Sequence, residues 1–376
     1  MNKIKMLSLL AAAAMMTGSV AMAETYSATG NGYHGEMTVD VTIENGTITD
    51  VALGDNHETN VVIDRAFPVI RERILEANTA DVDSVSAATF SSYAIKTAVA
   101  DAMKQAGLEA PTVSMQNAEK PATERAAEEC DIVIVGGGPA GLAAAISAKQ
   151  TNADKNVILV EKLDILSGNG KFDMNFFDMI NTEAQKAAGN DEWVGEAGLA
   201  KFIEEKSANG ESAERIQVWA NEEYGIDAWL RAMGVELNYN YGGTNHMAED
   251  NQYSGEVIQA GLEKAAAELG VDVRTGTKGM DLVMEDGVCK GVVVTNNANE
   301  TYTINAKSTI IATGGFCSNK ELLAEYAPGY EVFNTSNQMG TTGDFVKVFE
   351  QNGFKMENKG RSEEHTSELQ SPTNLV

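Results

Sequence analysis

Cysteine is scarce. The 376-residue chain has three, Cys130, Cys289 and Cys317, far apart and without a Cys-x-x-Cys pair. That spacing excludes a disulfide framework, a cysteine-rich zinc site and an attached c-type haem. Positive charge is short as well, with 28 Lys and Arg against 55 Asp and Glu and a formal net charge of -27. Such a surface repels nucleic acid phosphates and anionic lipid, so neither is an expected partner. Histidine occurs four times. His34 and His57, even with Glu58 beside the latter, lack the spaced third ligand of a metal site and read as surface loop residues. His246 in GGTNHMAED reads as a loop histidine or as one lining a substrate cleft. The 16 methionines read as leader and core filler rather than a copper cluster.

Long apolar runs are absent beyond the amino end. There Lys3 and Lys5 precede an apolar stretch from Met6 to about Met16, followed by Ala21-Met22-Ala23. This is the pattern of a secretory signal peptide over residues 1–23, and the run falls short of the roughly 20 residues that a bilayer span needs. The protein is therefore expected to be exported, to the periplasm or the outer face of the cytoplasmic membrane.

What remains is 43% hydrophobic and long enough for two or three domains. Residues 24–110 read as an α+β unit: alternating strands at Gly35–Ile43 and Ile48–Leu53 joined by the turn Asn45-Gly46, then a helix over Ile63–Asn78. The stretch DSVSAATFSS, residues 83–92, leads into an amphipathic helix from Tyr93 to Gly107, and its Ser86, Thr89, Ser91 and Ser92 are natural helix-capping residues. Residues 111–129, with Pro111 and Pro121, read as a linker. From Cys130 a buried strand, a glycine turn and an Ala-rich helix follow, with the spacing Gly136-x-Gly138-x-x-Gly141 of a dinucleotide-binding fingerprint. NVILVEK supplies a second strand ending at Glu161, about 20 residues beyond Gly141, where an acid can accept ribose hydroxyls. A hairpin turning at Asp286-Gly287 and a buried strand ending at Ala312-Thr313-Gly314-Gly315 complete an α/β, Rossmann-like domain expected over 130–360.

The fingerprint, ATGGF at 312–316 and MGTTGDF at 339–345 resemble the fumarate reductase and succinate dehydrogenase flavoprotein family over residues 131 to about 360. The resemblance implies FAD, with Glu161 on the ribose, the amides around Pro139, Ala140 and Gly141 on the pyrophosphate beside Gly136 and Gly138, and Asn169 and Gly170 on the flavin side. It also brings Gly314, Gly315 and Asp344 close to the flavin. Two departures stand out: KFDMNFFDM at 171–179 replaces a glycine-rich stretch, and Phe345 replaces the last glycine of a T-G-D-G element. Phe172, Phe176 and Phe177 read equally as core packing. The first domain, with DSVSAATFSS, resembles the FMN-binding domain of the C subunit of sodium-pumping NADH:quinone oxidoreductase. There a flavin transferase joins FMN through a phosphoester to the last hydroxyl of a Ser-Gly-Ala-Thr-x-Thr motif. Position by position that hydroxyl is Ser91, preceded by Ser86, Ala87, Ala88 and Thr89, with Asp83 as the upstream acid and Ala87 as a mild departure from glycine.

From Arg361 the chain resembles a translated sequencing adapter, so residues 361–376, His365 included, are set apart from the fold. In the family the substrate-binding His and Arg residues, the Arg proton donor and most of a capping domain lie downstream, which puts the catalytic residues and the cap beyond this chain. The function implied is an exported oxidoreductase. It would take electrons from a membrane or soluble donor onto covalent FMN and pass them to FAD, then to the carbon–carbon double bond of a small unsaturated acid of the fumarate, urocanate or acrylate type. Two alternatives stay open: a flavin-carrying electron-transfer module, and an FAD enzyme acting on steroid ring double bonds.

Overall fold

A computed structural model gives the fold over residues 23–166, 168–172, 176–207, 212–249 and 252–356. The leader through Met22, residues 173–175 and the tail from Arg361 lie outside the described residues. The first domain opens with strands β1 (Glu24–Asn31), β2 (Glu36–Glu44) and β3 (Thr47–Leu53), an antiparallel sheet in that order. In β2, Met37, Val39, Val41 and Ile43 are buried while the residues between them are not, because successive strand side chains face opposite ways. Asn45 and Gly46 turn the hairpin with φ of 52° and 80°, the twist-matched geometry such a pair favours. Helices α1 (Asn60–Ala77) and α2 (Thr89–Gln105) cover the buried face. Ile63, Ala66, Ile70 and Ile74 of α1 and Ala94, Ile95, Ala98, Val99 and Ala102 of α2 recur at helical spacing in the same core. Each large aliphatic side chain there contributes roughly 1.5–3 kcal/mol of burial. Strand β1 carries no such alternation and escapes a reading of the sequence; it is specified by its pairing from Glu24 with Ile43 to Asn31 with Glu36. Helix α2 begins at Thr89 rather than Tyr93, so Thr89 to Ser92 form its first turn.

The second domain begins with β4 (Thr123–Glu124), β5 (Glu128–Val135), α3 (Pro139–Thr151), β6 (Val157–Val160) and the short α4 (Asn169–Phe172). An excursion follows through β7 (Phe177–Asp178), α5 (Glu183–Ala188), a 3-10 turn at Asp191–Trp193, α6 (Gly195–Ser207), α7 (Ala213–Ala232), β8 (Tyr239–Gly242) and β9 (Asn245–Met247). The chain returns by α8 (Ser254–Glu268), β10 (Asp272–Arg274), β11 (Thr277–Glu285), β12 (Val288–Asn296) and β13 (Glu300–Ile311), then α9 (Lys320–Tyr326) and α10 (Asp344–Gln351). The main sheet runs β10-β6-β5-β13-β12-β11, with β4 beside β13. Its β10, β6, β5 and β13 are parallel and the β11–β12 hairpin antiparallel. All four residues of β6 are buried, as a parallel strand covered on both faces requires. Phe345, at the departure from the T-G-D-G element, packs into this sheet's core with Val135, Val160 and Val292. Phe177 packs against the helical core, and Phe176 lies half-exposed against Tyr241.

The stretch expected as a linker is a structured junction. Thr123–Glu124 pairs with β13, and β5 already starts at Glu128. Lys96, fully buried, donates to the carbonyls of Val82 at 2.8 Å and Ser114 at 2.6 Å and to Ser84 Oγ, while the Ser84 amide donates to Asn117 Oδ1. Burial holds the Lys96 ammonium below its ordinary pKa, offset in part by Asp81 and Asp83. From the other side, Ile165, just after β6, enters the hydrophobic core of the first domain. Beside it Asp164, with its side chain 4% exposed, accepts from Arg73 at 2.7 Å, from the Ser86 amide at 2.7 Å, from Ser86 Oγ at 2.9 Å and from Asn297 Nδ2 at 2.5 Å. Burial pushes this carboxyl's pKa up, but the Ser86 amide and the Arg73 guanidinium outweigh it and hold the pKa below the usual value. Its contribution to stability is therefore present above the ordinary aspartate range and is lost as pH falls through the lowered pKa. Asp164→Ala, which removes the charged partner of Arg73 and an acceptor of Ser86, is expected to cost about 3 kcal/mol at neutral pH. Calorimetry should show one unfolding transition splitting into two, and the difference between variant and wild type should shrink toward pH 3.

Candidate functional site

At the carboxyl ends of β5, β6 and β13 lies a cavity of about 410 Å³, lined among others by Gly136, Gly138, Ala140, Glu161, Lys162, Asn169, Gly170, Gly314 and Asp344. This is where open parallel sheets bind ligands, and the sequence builds it locally. Gly136 has φ of 113°, and a Cβ there would stand 2.3 Å from the Ala312 carbonyl oxygen. A Cβ on Gly141 would stand 1.9 Å from the Gly136 oxygen, so the missing side chain at Gly141 lets the helix pack behind the turn. Helix α3 starts with Pro139, and its first helical backbone bond is from Leu142 to Gly138. The amides of Ala140 and Gly141 thus stay without an intrahelical acceptor, ready for phosphate oxygens. Gly315 is not among the lining residues, while Gly314 is.

Glu161 accepts from the Gly137 amide at 2.7 Å and from the Leu163 amide at 2.9 Å. Burial outweighs these amides and raises its pKa. Asp344 has donors in plenty: Lys162 at 2.6 Å, Lys278 at 2.9 Å and Thr342 Oγ1 at 3.2 Å. Burial opposes ionisation there as well, but the two lysines hold the carboxyl below its ordinary pKa. Asn169 donates to Asn337 Oδ1 and accepts from the Gln338 amide at 2.9 Å, fixing the cavity wall opposite. A glycine turn with no room for a Cβ, helix amides without an intrahelical acceptor and a buried carboxylate held at the cavity wall suit a dinucleotide diphosphate and its ribose.

In the first domain Ser91 is the third residue of α2 and is buried, its Oγ donating to Glu58. Thr89 and Phe90 are exposed, and Tyr33 lies against Phe90 with ring centres 5.9 Å apart. Ala87, the departure from glycine, has φ of 69°. The departure is more than mild, since a side chain in the left-handed region costs about 1–2 kcal/mol. The two sites meet in one short segment. Glu161, Lys162 and Leu163 line the cavity, Asp164 holds Ser86 of the acceptor stretch, and Ile165 sits in the first domain's core.

The FAD binding domain family matches residues 131–367, and the FMN-binding domain family matches residues 32–104. The chain belongs to the FAD binding domain family, with an FMN-binding domain fused before it. It is 30% identical to the NADH:fumarate oxidoreductase of Klebsiella pneumoniae over 91% of this chain and 36% of that protein. It is 32% identical to the urocanate reductase of Eggerthella lenta over 89% of this chain and 56% of that one. The chain thus spans roughly a third to just over half of these relatives' lengths. Among solved structures, the open conformation of a flavocytochrome c3 fumarate reductase superposes with a TM-score of 0.55 at 31% identity, covering 60% of this chain and 40% of that one.

As a member of this family, with its fused FMN-binding domain, the chain binds FAD and FMN. Sequence reasoning missed Lys162, Lys278 and Glu58, which are isolated charges in sequence and acquire partners only through the fold. His246 is no loop residue: it lies in β9, fully buried, with Nε2 paired to Thr182 Oγ1 and Nδ1 to the Thr244 carbonyl, both at 2.7 Å. Burial lowers its pKa, and it is not among the residues lining the cavity. His34 and His57 are exposed on loops. Two substitutions test these assignments. Gly141→Ala forces a backbone shift costing about 3 kcal/mol, so FAD titration should read roughly 100-fold weaker binding. Ala87→Gly relieves the left-handed strain at some cost in chain entropy, and denaturant unfolding of the first domain should report a net gain of about 0.5–1 kcal/mol.

Proposed function

We propose that this chain is the two-flavin part of an exported reductase: FMN on Ser91 takes electrons from a membrane or soluble donor, passes them to FAD, and the pair reduces the carbon–carbon double bond of a small unsaturated carboxylate. The observation that carries the reading is the continuous segment Glu161 to Ile165, which lines the FAD cavity at one end and enters the FMN-binding domain at the other. The relatives' names, fumarate and urocanate reductases, supply the substrate class. Bound flavins supply two-electron chemistry and one-electron relay. The chain's own residues do the holding: Glu161 accepts ribose hydroxyls, the Ala140 and Gly141 amides meet the diphosphate, and Lys162 and Lys278 keep Asp344 ionised beside the flavin end. At Ser91 the phosphoester would lie on the first turn of α2, where the helix dipole favours an anion. A flavin transferase is the maturation partner, and the amino-terminal leader accounts for export.

Intact mass of the protein coexpressed with a flavin transferase tests the acceptor. The mass should rise by one FMN, Ser91→Ala should abolish the rise and Thr89→Ala should keep it; the reverse pattern moves the acceptor to Thr89. Under anaerobic reduced viologen, the full-length enzyme should turn over with at least one of fumarate, urocanate and acrylate. Both flavins bound with none of these acids reduced is the behaviour of a flavin-carrying electron-transfer module.

A further inference from the structure

Glu58 is 7% exposed, and among the described residues none of the ion pairs includes it. A buried carboxylate without a cationic partner is expensive, and a glutamine would fill the same space without the charge. The amino end of α1, which follows Thr59, offsets part of that cost. The rest needs a reason. One carboxylate oxygen accepts from the His34 amide at 2.8 Å, which fixes the group; the other receives the hydrogen of Ser91 Oγ. Gly32 makes room: a Cβ there would stand 2.6 Å from Oε1 of Glu58, and its φ is not in the left-handed region, so an alanine would displace the carboxylate without straining the backbone.

We propose that Glu58 is the base for flavin attachment, supplied by the acceptor domain itself. The inference rests on Ser91 being the acceptor. With its single hydrogen committed to Glu58, Ser91 Oγ keeps its lone pairs for the phosphorus next to riboflavin in FAD, brought by a flavin transferase. The Oγ–P bond forms as the bond from that phosphorus to the bridging oxygen breaks. AMP leaves with the electron pair, the serine proton passes to Glu58 and then to water, and no oxidant or reductant is consumed. Ser86 and Thr89 have no such arrangement: Ser86 Oγ donates to Asp164, and the Thr89 side chain is exposed.

The test follows attachment by intact mass over time, using full-length protein lacking FMN, saturating FAD and saturating flavin transferase. Glu58→Gln keeps the shape and an acceptor oxygen but cannot take the proton, so the rate should fall by about 100-fold or more, the usual contribution of a general base. Gly32→Ala keeps the carboxylate and moves it, and should slow attachment in the same direction in a protein that still folds and retains FAD. Should Glu58→Gln misfold, Gly32→Ala still decides. Wild-type rates in folded Gly32→Ala or Glu58→Gln, with Ser91→Ala unlabelled, overturn the role of Glu58 while leaving the acceptor intact. A Ser91→Ala protein that still gains FMN overturns the acceptor and Glu58 together.

Discussion

Three hydrogen bonds from the first domain to one buried carboxylate of the second hold the two domains of this protein in register. Asp164 belongs by sequence to the FAD-binding domain, yet two of its donors are the amide and hydroxyl of Ser86, a third is Arg73 on α1, and only Asn297 comes from its own domain. Arg73 in turn donates to the Asp83 and Ser84 carbonyls at 3.1 and 3.2 Å, so the guanidinium binds the acceptor stretch from one side while Asp164 binds it from the other. A buried ion pair of this kind is weak as a source of net stability, because desolvation cancels much of the attraction. Its use is geometric: the carboxylate meets both the amide and the hydroxyl of Ser86 in this placement of the acceptor stretch.

The rest of the site inherits that geometry through the backbone. The segment from Glu161 to Ile165 is held at three points: Glu161 by the Gly137 and Leu163 amides, Asp164 by its four donors and Ile165 by core packing. On the far side, Lys96 closes the junction by binding Val82 and Ser114 together. Burial lowers the pKa of that ammonium, so the fold carries charge where charge is costly, at both faces of the same junction.

Local chemistry was legible in the sequence and long-range chemistry was not. The alternation of Met37, Val39, Val41 and Ile43, the Asn45-Gly46 turn and the Gly136 to Gly141 spacing each encode their structure within a few residues, as do Glu161 and the Asp286-Gly287 hairpin. Strand β1 has a mostly exposed, polar sequence and is strand only because β2 offers it an edge. The Pro-bearing stretch after residue 110 has a linker's composition, but Lys96 and β13 order it from outside. Glu58 and Asp164 look like two of the chain's 55 acids until the fold buries them. Ala87 is a different case: its residue type was noted at once, but its left-handed backbone, and so its cost, is visible only in three dimensions.

The proposed relay from FMN to FAD would require the junction to hold the two flavin sites at a constant separation. The direct measurement is the rate of electron transfer from FMN to FAD after photoreduction of the fully flavinylated protein, taken across a series of sucrose concentrations. A fixed junction predicts a rate independent of solvent viscosity. A rate that falls in proportion to viscosity would mean that the FMN-binding domain swings between partners and that the junction does not hold it.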